Sequence, residues 1–334
     1  MTTQKKTLIA IAWGIGASVF LSSTFIINSL ISGAGGYWAW TAALRSTFLI
    51  PILGGVLLFK RQLWSTLNTI GQYPMLFFKW GTIGFGVLYT FLALASLWAP
   101  GWLVAAGFQL NILAGILLAP LIYPDHRRAI PKRPLLLTLL ILVGVVMMQF
   151  EKLRSLDHAG SMLLSLGLVL IGAIVWPLGN RKLLVDLEHK KVELNALQRV
   201  LGMTIGCLPL LIVLCVVGYV KSGAPTSAQC QASLLSAIFS GLIGGVSFYQ
   251  ATQLVSKNVV ALAAIEATQA LEILFTLIGE MVLKGVGLPG LYARLGFVVI
   301  TAGLLIHFWN TWNHGRSTHQ KERLLASELS SLAA

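Results

Sequence analysis

Apolar runs close to twenty residues long, separated by short polar loops, recur along almost the whole chain. A helix of that length, rising 1.5 Å per residue, matches the roughly 30 Å hydrocarbon core of a bilayer. The pattern predicts ten such helices, at residues 8–31, 37–59, 74–98, 101–123, 134–150, 160–180, 195–220, 231–254, 258–283 and 289–310. The first follows Lys5 and Lys6 as the core of a signal peptide would, but its apolar stretch is too long and lacks a cleavage site, so it reads as a permanent helix. Pro51, Pro120, Pro177 and Pro209 fall inside these stretches and predict kinks.

The polar positions inside the runs carry a second pattern. Gly81, Ile83, Gly84, Tyr89, Leu94, Ser96, Gln109 and Leu117 each meet the identical residue 160 positions later. Tyr89 with Gln109 and Tyr249 with Gln269 therefore share one spacing within apolar sequence, which points to an internal duplication. Each half holds an odd number of spans, so the second must enter the membrane in the opposite sense. The expected fold is an all-α polytopic membrane protein, with ten transmembrane helices as two inverted five-helix repeats. Residues 1–155 form the first repeat, 156–312 the second and 313–334 a polar tail. Repeats of this kind place a substrate site between the halves.

Composition removes the soluble alternative. Of 334 residues 56% are apolar and only 10% charged, where a soluble domain carries about 25% charged. The net charge of +13 would suit a nucleic-acid partner, yet the basic residues are dispersed among short loops. With the N-terminus inside, Lys5, Lys6, Arg127, Arg128, Arg181, Lys190 and Lys191 fall on the cytoplasmic side, against Lys152, Arg154, Lys221 and Lys284 outside. The excess of Lys and Arg on one side fixes both termini in the cytoplasm. Trp38, Trp40, Trp98 and Trp102 then mark one interface and Trp64, Trp80, Trp309 and Trp312 the other, while Trp13 and Trp176 sit deeper, where a ring lines either core or cavity. Cys207, Cys215 and Cys230 suggest no disulfide or metal site.

An ionisable side chain within a span costs roughly 2.5 to 3.5 kcal/mol on insertion scales, which makes it a functional candidate. Lys79 and Arg294 lie near span ends, within reach of headgroups, whereas Arg45 is deeper and harder to rescue. Arg199 is shallower. The ninth span carries Glu266, Gln269, Glu272, Thr276 and Glu280. At 100° per residue, Glu266, Gln269, Thr276 and Glu280 form one stripe with Glu272 at its edge. Glu266 and Glu272 are the candidates for holding a proton or a cation, since burial raises a carboxylate's pKa. A bland alternative pairs them with Arg45, Arg199 or each other. Gln109, Asn111, Tyr89 and Tyr249 would add orienting groups to the same site.

Ten spans in two inverted repeats, both termini inside, and a gap after the eighth span as short as Ser256 to Asn258 resemble the drug/metabolite transporter superfamily. Ala12-Trp13-Gly14 resembles its early Trp-Gly, Tyr249 to Val260 its passage from helix eight to nine, and Ile278-Gly279-Glu280 the Gly-Glu closing helix nine. Gly303 matches a family glycine. The nearest branch is that of ten-span multidrug-resistance efflux transporter-like proteins. The resemblance implies a secondary transporter in the inner membrane, exporting drug-like cations or amino-acid-like metabolites by alternating access, with protons as a coupling partner. It implies action as a monomer, without a cofactor or nucleic acid. One departure matters: small four-span exporters use a first-helix glutamate, and neither span one nor span six has a carboxylate here. Any coupling must lie elsewhere, with span nine the obvious place. A membrane enzyme is the competing reading, but His126, His158, His189, His314 and His319 lie outside the spans and His307 stands alone within one. A structural membrane protein is the third, and it predicts no carboxylate stripe.

Overall fold

The computed structural model describes residues 3–130, 132–153, 159–256, 258–306 and 309. The expected joint near residue 155, the tail 313–334 and His307 lie outside the described residues. Within them every regular element is helical. The first half runs through α1 (Thr3–Gly33), α2 (Trp38–Phe59), the short α3 (Leu63–Gln72), α4 (Pro74–Gly81), α5 (Leu88–Ala95), α6 (Gly101–Phe108), α7 (Leu110–Leu117), α8 (Ala119–Ile122) and α9 (Lys132–Leu153). The second comprises α10 (Ala159–His189), α11 (Ala196–Gly206), α12 (Leu208–Ser222), α13 (Ser227–Ser236), α14 (Val246–Leu254), α15 (Val259–Thr268), α16 (Leu271–Lys284) and α17 (Leu291–Ile306).

Every stretch expected to span is helical, but not every one is continuous. Among the described residues five helices are long and apolar enough to cross a membrane: Lys5–Gly33, Trp38–Phe59, Pro74–Ala95, Gly160–His189 and Ser227–Leu254. A sixth forms if α11 and α12, bent by 51° at Cys207, count as one. Pro209 sits in the first turn of α12, where its missing N–H costs nothing. Pro120 starts α8 in the same way, whereas Pro51 and Pro177 stay inside the unbroken α2 and α10. The expected fourth and ninth spans are each divided at a glutamine. Gln109 separates α6 from α7, and Gln269 with Ala270 separates α15 from α16.

The sequence pattern treats residues 181–195 as a long charged loop; instead α10 continues to His189. Leu183, Val185 and Leu187 are buried there, and Trp80 donates its indole N–H to Asp186 at 2.7 Å. That apolar face and its anchor outweigh the neighbouring charges. A capping box, in which the Asn195 and Gln198 side chains each accept from the other's backbone N–H, then starts α11.

The two halves interlock. α1 packs against α14, α15, α16 and the π-helical segment Ala237–Gly245, all from the second half. α10 packs in turn against α5, α6, α7 and the π-helical segment Thr82–Val87 of the first. α2 lies along α11 and α12. One close approach is between Gly84 and Gly179: a Cβ at Gly179 would stand 2.5 Å from the Gly84 Cα and 2.9 Å from the Trp80 carbonyl oxygen. Glycine lets these backbones touch, as small residues do in membrane helix pairs.

Candidate functional site

The broken helices create the site. Gln269 interrupts the expected ninth span, so Glu272 falls in the first turn of a fresh helix, α16. The junction is a tightened turn with right-handed helical dihedrals, in which the Glu272 N–H donates to the Gln269 carbonyl at 2.9 Å and the Ile273 N–H to that of Ala270 at 3.3 Å. The interruption also ends the single stripe that uniform helical spacing predicts. The carboxylates acquire three different surroundings.

Glu280 is fully buried at the end of the bundle remote from Arg127. It accepts from the backbone N–H groups of Gly101 and Trp102 at 3.1 and 3.0 Å and from the Ser29 hydroxyl at 2.5 Å, with Lys284 at 3.4 Å. It thereby caps α6, ties α1 to α16 and closes that end. Trp40 bonding to the Gly223 carbonyl, and Gln229 to Tyr37 and Thr41, add to the closure.

Glu266 pairs with Arg181, whose other terminal nitrogen donates to the Gly115 carbonyl at 2.5 Å. Arg181 is neither of the arginines expected as partner. Its guanidinium occupies the space a side chain at position 115 would need, since a Cβ there would lie 2.6 Å from an Arg181 nitrogen. α7, α10 and α15 are thus pinned together at one point.

Glu272 is 1% exposed and its Oε1 has no hydrogen-bond partner among the described residues. It lines a cavity with Thr24, Tyr89, Phe108, Trp176 and Gln269. Trp176 and Gln269 also line a second, narrow cavity of about 40 Å³, with Asn111, Asn180, Arg181, Arg199, Phe248, Thr252 and Glu266. Arg199 and Ser256 in turn border a vestibule of about 950 Å³ between Asp125, Arg127, Glu188, Lys191 and Asn195. Neighbouring spaces share lining residues, Trp176 and Gln269 between the first two and Leu184, Arg199 and Ser256 between the last two. Arg127 at the mouth bridges Asp125 and Glu188, each at 2.7 Å. Hydrogen bonds to Asp125 first, then to Glu188, hold its pKa above the ordinary guanidinium value. A raised pKa adds stability that is full below the unfolded value and fades only at extreme alkalinity, so Arg127 stays charged at any ordinary pH.

Both deep arginines stack on the duplicated tyrosines. Arg45 lies 3.7 Å from the Tyr89 ring centre and Arg199 lies 4.8 Å from that of Tyr249. Arg45 donates twice to the Ser240 hydroxyl, at 3.0 and 2.8 Å, leaving one terminal nitrogen unpartnered. Arg199 donates once, to the Tyr249 carbonyl, and its Nε is unpartnered. Phe85, Trp176, Phe248 and Tyr249 form an aromatic cluster behind the cavities, with Trp176 stacked 5.9 Å from Phe85.

Of the residues singled out by sequence, the structure brings Tyr89, Gln269 and Glu272 to one cavity wall and Asn111, Gln269 and Glu266 to the next. Gln109 and Tyr249 are packed behind them: Gln109 bonds back to the Ala105 carbonyl, and the Tyr249 hydroxyl to the Met203 sulfur at 3.0 Å. Trp13 faces outward at 46% exposure, whereas Trp176 is a cavity wall at 5%. Sequence reasoning missed Arg181, taken as a loop cation. The helical spacing of Leu183 and Leu187 just beyond it was the available signal.

A protein of Bacillus subtilis (strain 168), "Uncharacterized protein YjlA", is 37% identical over 308 residues, covering 89% of this chain and 94% of that protein. A Shouchella clausii protein, "Uncharacterized 42.1 kDa protein in intracellular alkaline protease 3'region", is 36% identical over 255 residues, 75% of this chain and 66% of that one. A solved structure described only as "Crystal structure of protein" shares the fold with a TM-score of 0.57 at 16% identity, over 90% of this chain and 95% of its own. Residues 8–313 match the family model "EmrE: Putative multidrug resistance efflux transporter". The chain, a multi-pass membrane protein, belongs to that EmrE-like efflux transporter family.

Proposed function

We propose that the protein is a secondary active transporter, exporting small organic molecules by alternating access of two inverted five-span repeats. The observation that carries the reading is the unpartnered Glu272 carboxylate at the inner end of a cavity system open toward the Arg127 end and closed by Glu280 at the other. A buried charge without a protein partner is costly, and a proton or a substrate is what remains to satisfy it. Glu272 is thus the coupling site, with Tyr89 and Gln269 beside it. Glu266 and Arg181 form the pin that holds the inner cavity wall.

The two-fold arrangement has specific support. Tyr89 and Tyr249 each carry a stacked arginine, and Gln109 and Gln269 each stand at a helix break. The reciprocal packing of α1 and α10 into the opposite halves agrees with it. Lys60, Arg61, Arg127, Lys190 and Lys191 put the vestibule in the cytoplasm under the positive-inside rule, with both termini. The cavity then faces inward in this conformation, as an exporter loading its cargo requires.

Proteoliposomes carrying the full chain test this with a mixed library of metabolites and dyes, with and without a pH gradient. At least one compound is expected to move faster with the gradient, and Glu272→Gln is expected to abolish that acceleration while inserting normally. Flux that ignores the gradient in both proteins, or no flux of any compound, contradicts the reading.

A further inference from the structure

We infer that the ligand of this cavity carries a carboxylate, and that Arg199 is the group that receives it. The inference rests on the cavity being the transport site and narrows what the site accepts. Among the described residues Arg181 is matched by Glu266, Arg127 by both Asp125 and Glu188, and Glu280 by the exposed Lys284 together with Ser29, Gly101 and Trp102, while Lys79 and Arg294 are exposed. Arg45, Arg199 and Glu272 remain without ionic partners, two cations against one anion. A guanidinium stays charged in a protein, whereas a carboxylate can take up a proton. Of these, Arg199 and Glu272 stand on the cavity walls, so once Glu272 takes up a proton Arg199 is the unmatched charge there. A purely cationic cargo would deepen the imbalance.

Arg199 is placed to meet the missing charge. It stands near the start of α11, fixed by the Asn195 capping box, and borders both the vestibule and the inner cavity. One hydrogen bond to the Tyr249 carbonyl and the stacked ring hold the planar group, with Nε still unpartnered. Guanidinium donors in a fixed fork match the two oxygens of a carboxylate. Arg45 is less available, since Ser240 already takes two of its nitrogens. Beyond Arg199 the wall turns to Trp176 and Phe248, which suit an aromatic or apolar body. The amides of Asn111 and Asn180 lie on the same cavity and suit a polar substituent.

Three congeners of one shape test this on the full chain in nanodiscs by titration calorimetry: 3-phenylpropionate, the neutral 3-phenylpropanamide and the cationic 3-phenylpropylamine. The carboxylate is expected to bind at least roughly tenfold more tightly than either relative, a difference of about 1.4 kcal/mol. Arg199→Gln is expected to erase that preference and Arg199→Lys to retain part of it. If Arg199→Gln does not fold, the wild-type series decides alone. Equal or tighter binding of the amine, or no carboxylate binding at millimolar concentration, overturns the inference, as does unchanged carboxylate affinity in a folded Arg199→Gln protein. Carboxylate binding without flux would instead count against transport and leave this inference standing.

Discussion

Glu266 and Glu272 have the same chemistry and lie less than two turns apart in sequence, yet their surroundings assign them opposite consequences on mutation. Glu266 shares a buried ion pair with Arg181, so Glu266→Gln leaves a guanidinium holding only the Gly115 carbonyl. Breaking such a pair from one side costs about 3 to 5 kcal/mol. Glu272 has nothing comparable to lose. Glu272→Gln removes an uncompensated buried charge and should leave stability unchanged or raised. Thermal unfolding in nanodiscs separates the two: Glu266→Gln should unfold well below wild type, Glu272→Gln should not, and Glu266→Gln with Arg181→Gln should recover part of the loss. Equal effects of the two single changes would contradict the assignment.

Helices in this protein are shaped by what interrupts them. Their existence was legible from apolar run length, and each expected stretch is helical where described. The interruptions were not, because a glutamine in an apolar run reads as one polar position on a continuous helix. Only packing reveals that Gln109 and Gln269 end one helix and precede another. The continuation of α10 to His189 was hidden for the opposite reason: local charge argued for a loop, while tertiary burial of Leu183 and Leu187 decided for helix. Candidate residues followed the same rule. Tyr89, Asn111, Gln269, Glu266 and Glu272 announced themselves as polar groups in lipid, but their partners depend on neighbouring helices. Glycine reads ambiguously too, and the structure divides the cases. Gly179→Ala would force a Cβ onto the Gly84 backbone and should destabilise by about 1 to 3 kcal/mol. Gly16 has nothing within 4 Å of such a Cβ, and Gly16→Ala in the middle of α1 should stabilise by roughly 0.5 to 1 kcal/mol. Denaturation of both variants in the same detergent checks the pair. Similar shifts in one direction would refute the distinction.

The whole molecule is a bundle whose halves exchange helices around a narrow space, sealed at the Glu280 end and entered from the Arg127 end. Long apolar spans provide the walls; the breaks at Gln109 and Gln269 bring polar groups to the interior. Switching access to the other side would require the Glu280 seal to release Gly101 and Trp102, and the vestibule between Arg127 and Asn195 to close. Gln269 stands in this space, and under the proposed function it is reachable from the Arg127 side alone in this conformation. Labelling of Gln269→Cys with a membrane-impermeant thiol reagent, with Cys207, Cys215 and Cys230 replaced by alanine, tests it most directly. Labelling is expected in inside-out vesicles and protection in right-side-out vesicles, with Ala224→Cys reporting the reverse. Protection of Gln269→Cys from both sides, or labelling confined to the side that exposes position 224, would contradict it.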